Sequence, residues 1–222
     1  MLGGETGVGL DAPSIQKFAK LIASAASKGL QVGVVIGGGN IFRGLTAEGK
    51  GFERVTSDKM GMLATVINAL GLKMAIRSEG VEAEVFTATP MMPIAHQYHN
   101  EDVIAFLDKG GVAIFGGGTG NPYFSTDSGA ALRAREIKAD VLLKATKVDG
   151  VYTADPKKYP TATRYDEITF DKVMADHLKV MDQTAFALCQ DGNLPIIVFD
   201  VNIPGALDNL LEGKKVGTLV HA

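Results

Sequence analysis

Five short runs rich in Val and Ile recur along the chain: VGVVI (32–36), EAEVFTA (82–88), GVAIFG (111–116), ADVLLKA (139–145) and PIIVFD (195–200). They are mostly apolar without strict alternation, the pattern of strands covered on both faces. Amphipathic stretches separate them: 12–29, 57–80, 100–110, 125–138, 170–180 and 181–192. The first places Ile15, Phe18, Ala19 and Ile22 on one face and ends at Gly29, read as a C-cap. Strands alternating with helices predict an α/β fold with a mostly parallel sheet. The 222 residues, 46% of them hydrophobic, suffice for one such domain, and no repeat or linker divides residues 1–222.

Ligands of such sheets bind beyond the carboxyl ends of the strands. VGVVI is followed by GGGNIFRG, GVAIF by GGGTGNPYFSTDSGAA, and ADVLLK by ATKVDGVYTADPKK. A Gly-rich turn after a strand exposes backbone N–H groups that can hold phosphate, and Arg43 adds a planar cation. The stretch matches neither the P-loop pattern nor a dinucleotide fingerprint. Thr119, Asn121, Ser125, Thr126 and Ser128 offer hydroxyl and amide groups suited to a base, a sugar or a phosphate. Asp127 reads either as a helix N-cap or as the acid that orients a catalytic lysine or metal-bound water, and Asp58 either as a cap or as an acceptor from ribose hydroxyls. Tyr152 can pack on a purine ring; the plainer reading of 145–156 is a surface hairpin turning at Asp149–Gly150.

Other features exclude more than they assign. A net charge of −3 argues against general nucleic-acid binding. The single cysteine, Cys189, rules out an internal disulfide framework and reads as a buried helical thiol in a reducing compartment. No apolar run approaches the ~20 residues of a membrane span, and MLGGETGVGLD has no signal-peptide pattern. Of the four histidines only His96 and His99 are close in sequence, with no third metal ligand near them, so no metal site is expected.

Taken together, IGGGNIFRG, the helix carrying Asp58, TGNPYFSTDS, ATKVDGVYTADP, HLKVMDQTAF (177–186) and NIPGALDNLLEGKKVGTLV resemble the bacterial uridylate kinases of the amino acid kinase family. The resemblance runs from about Gly4 to the C-terminus. TGNPYFSTDS and KVDGVYTADP separate it from the aspartate, acetylglutamate and carbamate kinases. It implies a three-layer α/β/α sandwich and a cytoplasmic, homohexameric enzyme that moves the γ-phosphoryl group of Mg-ATP to UMP. It places Gly38, Asp58, Thr119, Gly120, Asn121, Pro122, Tyr123, Phe124, Ser125 and Thr126 at UMP. Gly39 and Arg43 would meet the ATP phosphates, and Thr146, Tyr152 and Asp155 its nucleoside. Arg43 and Asp127 would serve the transfer itself, with Mg²⁺ accompanying ATP as the cofactor. Gly4, Glu5, Thr6, Gly7, Val8 and Gly9 would belong to an allosteric site for GTP as activator, with UTP as inhibitor. The apolar second helix would be an oligomer interface.

One difference stands out. The family opens with a strand ending in Lys-Leu-Ser-Gly-Glu, whereas this sequence begins at MLGGETGVG. The expectation is a sheet without that first strand and a site without its lysine, an omission worth ~10²–10³ in rate. Weak turnover, restored by an upstream strand carrying Lys-Leu-Ser-Gly, would follow. The alternatives are a non-catalytic nucleotide-binding relative or a related carboxylate or carbamate kinase.

Overall fold

The structure, a computed structural model, describes residues 2–43 and 51–222. Gly44, the last residue of IGGGNIFRG, lies outside the described residues. The chain divides into two compact units, Met1–Ala130 and Ala131–Ala222.

The first unit opens with α1 (Ala12–Ser27), started by Asp11, whose carboxylate accepts from the Ser14 N–H at 2.9 Å. Lys28 caps its end, and Gly29 is the next residue, in left-handed conformation (φ 83°), one position beyond the expected cap. Then come β1 (Val32–Val35), α2 (Arg54–Ser78), β2 (Ala83–Thr87), β3 (His96–Gln97), α3 (Asn100–Asp108) and β4 (Val112–Gly116). The sheet runs β1-β4-β2-β3, and every pairing is parallel. β4 lies between β1 and β2, so the loops leaving β1 and β4 emerge side by side at one edge. The core gathers Ile15 and Ala19 of α1, Ala69, Leu72 and Ile76 of α2, and Val85, Val112 and Ile114 of the sheet. Burying a side chain such as Leu72 contributes ~2 kcal/mol.

α2 starts three residues earlier than its sequence pattern suggested. Glu53, an acid without a side-chain cap bond to the helix, precedes it. By length and composition α2 could cross a membrane. Here one face of it packs against α1, β2 and β4, and the same helix buries Ser57, Thr65 and Asn68.

Helix α4 (Thr126–Glu136) leads into the second unit, with β5 (Leu142–Thr146), β6 (Glu167–Thr169), α5 (Phe170–Ala175), α6 (Gln183–Asp191), β7 (Ile196–Asp200), α7 (Ala206–Leu211) and β8 (Thr218–His221). The sheet order is β5-β7-β8-β6; β7 and β8 are antiparallel and the other pairs parallel. Phe170 and Phe186 meet edge to face with ring centroids 5.2 Å apart, and Ile196, Val198 and Val220 fill the core around them. Cys189 is fully buried there, as its place in the helix pattern implied. The short strands β3, β6 and β8 and the helix α7 were not marked by periodicity. The expected helix 170–180 stops at Ala175, and the next begins at Gln183 after an Asp182 cap.

Candidate active site

The loop after β1 is laid along one face of α2. Gly38 is buried there: a Cβ on it would stand 2.7 Å from the Ala64 Cβ and 2.8 Å from the Gly61 carbonyl, so only glycine fits. One turn further along the same face, the fully buried Asn68 donates to the Gly37 carbonyl at 2.6 Å. Asn68 and Asn40 also exchange amide hydrogen bonds, at 2.7 and 3.0 Å. Asn40 in turn donates to the Gly9 carbonyl at 2.6 Å and accepts the Gly9 N–H on its backbone oxygen at 2.8 Å. The turn is therefore tied at Gly37 to a part-buried polar network and packed at Gly38 against α2. Arg43 folds back so that its Nε donates to the Gly39 carbonyl at 2.8 Å. This brings together the two residues expected at ATP phosphates.

The loop after β4 is fixed by the same helix. The Thr65 hydroxyl accepts the Gly117 N–H at 2.8 Å and donates to the Met62 carbonyl at 2.6 Å. One Asp58 oxygen accepts from Arg54 Nε at 2.9 Å and from the Tyr123 N–H at 2.7 Å. Asp58 lies a turn inside α2, so it is not the helix-opening cap its position suggested; it ties the helix to TGNPYFSTDS. Tyr123 has φ 71°, a sparsely populated conformation for a bulky residue, and the Arg54 guanidinium lies 5.2 Å from its ring centroid. Such strain persists where surrounding contacts hold it, and clusters at ligand sites. Tyr123 and Phe124 remain exposed. The Thr119 hydroxyl accepts the Asn121 N–H at 3.2 Å. Ser125 accepts the Ser128 N–H at 3.2 Å at the start of α4, which leaves Asp127 in the first turn and not at the cap. Thr126 stands beside Gly37, linking the two loops. Gly38, Asp58 and residues 119–126 are thus assembled at one sheet edge.

In the second unit, Thr146 ends β5, and its hydroxyl bonds to both Val148 backbone groups. Asp155 starts a turn, accepting the Lys157 N–H at 3.0 Å. Residues 149–150 do not form the tip of a hairpin; Tyr152 instead makes an antiparallel bridge with Arg164. The Tyr152 hydroxyl donates to Asp149 Oδ1 at 2.8 Å. Segment 4–9 forms successive turns with Glu5, Thr6, Gly7 and Val8 exposed.

Sequence patterns missed Asn68, Thr65 and Arg54. The signal for the first two was available: polar side chains set among the apolar residues of a long helix. Asp200 was also missed. It is paired with Thr146 in the sheet register and accepts from the Asn202 N–H at 2.8 Å. Among the described residues no group of three His, Cys, Asp or Glu side chains could cage a metal ion.

The sequence profile of the amino acid kinase family matches residues 1–200. The chain belongs to the amino acid kinase family. It is 52% identical over 221 residues to the uridylate kinase of Parabacteroides distasonis, covering 100% of this chain and 93% of that protein. It is 52% identical over 219 residues to the uridylate kinase of Porphyromonas gingivalis, covering 99% and 92%. Its structure resembles that of a UMP kinase from Bacillus anthracis with TM-score 0.96 and 39% identity, covering 99% of this chain and 91% of that one. Against the uridylate kinase of Archaeoglobus fulgidus the TM-score is 0.74 at 31% identity, covering 95% and 93%.

Proposed function

We propose that the protein is a UMP kinase, transferring the γ-phosphoryl group of Mg-ATP to UMP to give UDP and ADP. The observation that carries this is Asp58: its carboxylate fastens TGNPYFSTDS to α2, in a chain about half identical along its whole length to uridylate kinases. A 5′-phosphate oxygen of UMP attacks the γ-phosphorus, and the bond to the β-phosphate oxygen breaks. Such transfer rests on positioning and charge neutralisation, with no covalent nucleophile on the protein. Asp58 and loop 119–126 bind UMP, with Gly38 beside them. Gly39 and Arg43 meet the ATP phosphates, and Thr146, Tyr152 and Asp155 the ATP nucleoside. Asp127 organises the transfer. Mg²⁺ would arrive with ATP, keeping waters and binding chiefly through nucleotide phosphates. When bound it neutralises phosphate charge.

Both units form one amino acid kinase domain in this reading, consistent with a family match that spans them. The outer face of α2 exposes Leu63 (53%), Ile67 (46%) and Met74 (71%) at helical spacing. That stripe supports a homo-oligomer, read as a hexamer, measurable by light scattering. The enzyme works in the cytoplasm. Gly4–Gly9 is the candidate GTP site, with activation by GTP and inhibition by UTP. Its link to the phosphate loop through Gly9 and Asn40 gives an effector a route to the site.

Phosphorus NMR of protein, Mg-ATP and UMP tests the reaction. Equal growth of ADP and UDP signals is expected; ADP without UDP would overturn it.

A further inference from the structure

The loop that carries Tyr152 contains a second, unassigned device. Asp149 uses both carboxylate oxygens: Oδ1 accepts from the Tyr152 hydroxyl at 2.8 Å, and Oδ2 from Arg164 at 3.1 Å. Arg164 also reaches the Asp149 backbone carbonyl at 3.4 Å and lies 3.7 Å from an Asp166 oxygen. Its stem crosses Gly150, where a Cβ would come within 2.7 Å of Arg164 Cδ. Any side chain at 150 would push the stem away. The backbone reinforces the arrangement: Thr153 N–H donates to the Thr163 carbonyl at 3.0 Å and Tyr165 N–H to the Val151 carbonyl at 2.9 Å. Val151 N–H is anchored on the Thr218 hydroxyl of β8 at 2.8 Å.

Arg164 invites assignment as a phosphate-binding cation. Its partners argue otherwise, because two acidic residues already share its charge. Asp149 likewise has both oxygens engaged within the loop, one by Tyr152 and one by Arg164. The hydrogen bond fixes the far end of the Tyr152 ring, which would otherwise rotate about two torsions. It also raises the phenol's pKa above its ordinary value.

We infer that Asp149 and Arg164 are positioning residues for the ATP nucleoside, acting through Tyr152, whose ring they hold ready to pack on the base. The inference rests on the proposed reading of Tyr152 as an ATP contact. A ring fixed in advance loses less freedom on binding, so the brace should appear in ATP affinity and not in UMP affinity.

The test is calorimetric Kd for Mg-ATP and for UMP on the full chain, with melting temperatures, for Asp149→Ala, Asp149→Asn, Arg164→Ala, Tyr152→Phe and Tyr152→Ala. Asp149→Ala and Tyr152→Phe each break the same hydrogen bond. Each should weaken ATP about 5- to 10-fold, the effect of one hydrogen bond, with UMP affinity unchanged. Their double variant should be no weaker than either alone. Asp149→Asn keeps an acceptor oxygen for Tyr152 and should restore ATP binding to within about 2-fold. Arg164→Ala should cost about 2- to 3-fold, as expected of a half-exposed ion pair. If Tyr152→Ala weakens ATP while Asp149→Ala and Tyr152→Phe do not, the brace is refuted and the nucleoside contact stands. If Tyr152→Ala leaves ATP affinity intact, the contact itself is wrong. Equal losses for ATP and UMP with a lowered melting temperature would reduce Asp149 to a structural residue and overturn the inference.

Discussion

The loops around Asp58 and the loop around Tyr152 are held by different means. In the first unit the anchors are buried amides and hydroxyls on one helix: Asn68 fully, Thr65 nearly so. In the second the Val151 backbone rests on the buried Thr218 hydroxyl, but the side chains that hold Tyr152 are surface groups, with Asp149 and Arg164 39% and 36% exposed. A buried polar group left without its partner costs its full desolvation, whereas an exposed one can turn to water. One candidate subsite is therefore rigid by construction, and the other is braced but adjustable.

The largest effect should follow Asn68→Ala. It strands the Gly37 carbonyl and the Asn40 side-chain oxygen, and urea unfolding should show a loss of about 2–3 kcal/mol. A loss below about 0.5 kcal/mol would mean that the buried network does not hold the loop. Gly38→Ala comes next, forcing a methyl into the Ala64 and Gly61 surface at a cost of about 1–3 kcal/mol. UMP turnover should fall with it; unchanged stability and turnover would contradict the close approach. Asp58→Ala should weaken UMP about 10- to 100-fold, the scale of a charged hydrogen bond, while ATP affinity stays the same. Equal weakening of both would erase the contrast between the two loops.

Two smaller tests separate cores and ordinary ion pairs from these loops. Cys189 sits in the second unit's core, where burial pushes its thiol up to about 11. A thiol reagent at pH 8 should react only as fast as the protein unfolds. Rapid labelling of the folded chain would show that the second unit is loose throughout, not merely at its Tyr152 loop. In the first unit, Glu84 meets Lys73 at 2.7 Å and Arg77 at 2.5 Å. Burial pulls the Glu84 carboxyl upward, but the Lys73 hydrogen bond and the charges of Lys73 and Arg77 outweigh it, so its pKa lies below the ordinary 4.5. A depressed carboxyl stabilises the fold above its unfolded pKa, and that contribution is lost as pH falls through the folded value. The stability gap between wild type and Glu84→Gln should thus shrink as pH drops below about 4.5. A gap that widens in acid would reverse the sign.

The sequence makes the rigid half of this comparison easy to find and hard to explain. Unalternating Val and Ile runs ending in glycine mark β1 and β4 and their loops, because buried parallel strands and close backbone approaches each demand those residues. Asn68 shows only as a polar residue among apolar neighbours, a mark that locates it without saying what it bonds, because one amide does not alter a helical period. Asp58 read as a cap because Glu53, the residue before α2, is an atypical one that hides where the helix begins. β8 escaped notice because four residues after a glycine carry too little pattern, and its antiparallel place beside β7 depends on a long-range pairing. The Asp149–Arg164 contact spans 15 residues and is set by a backbone bridge that local propensity does not encode.

The most direct measurement is an acceptor panel: phosphoryl transfer from Mg-ATP to UMP, CMP, dTMP and aspartate, with calorimetric binding of each acceptor. A polar site built to hydrogen-bond its ligand should prefer UMP by at least about 100-fold in kcat/KM, and UMP alone should bind tightly. Comparable transfer to CMP, a preference for aspartate, or a failure to bind UMP would contradict the account.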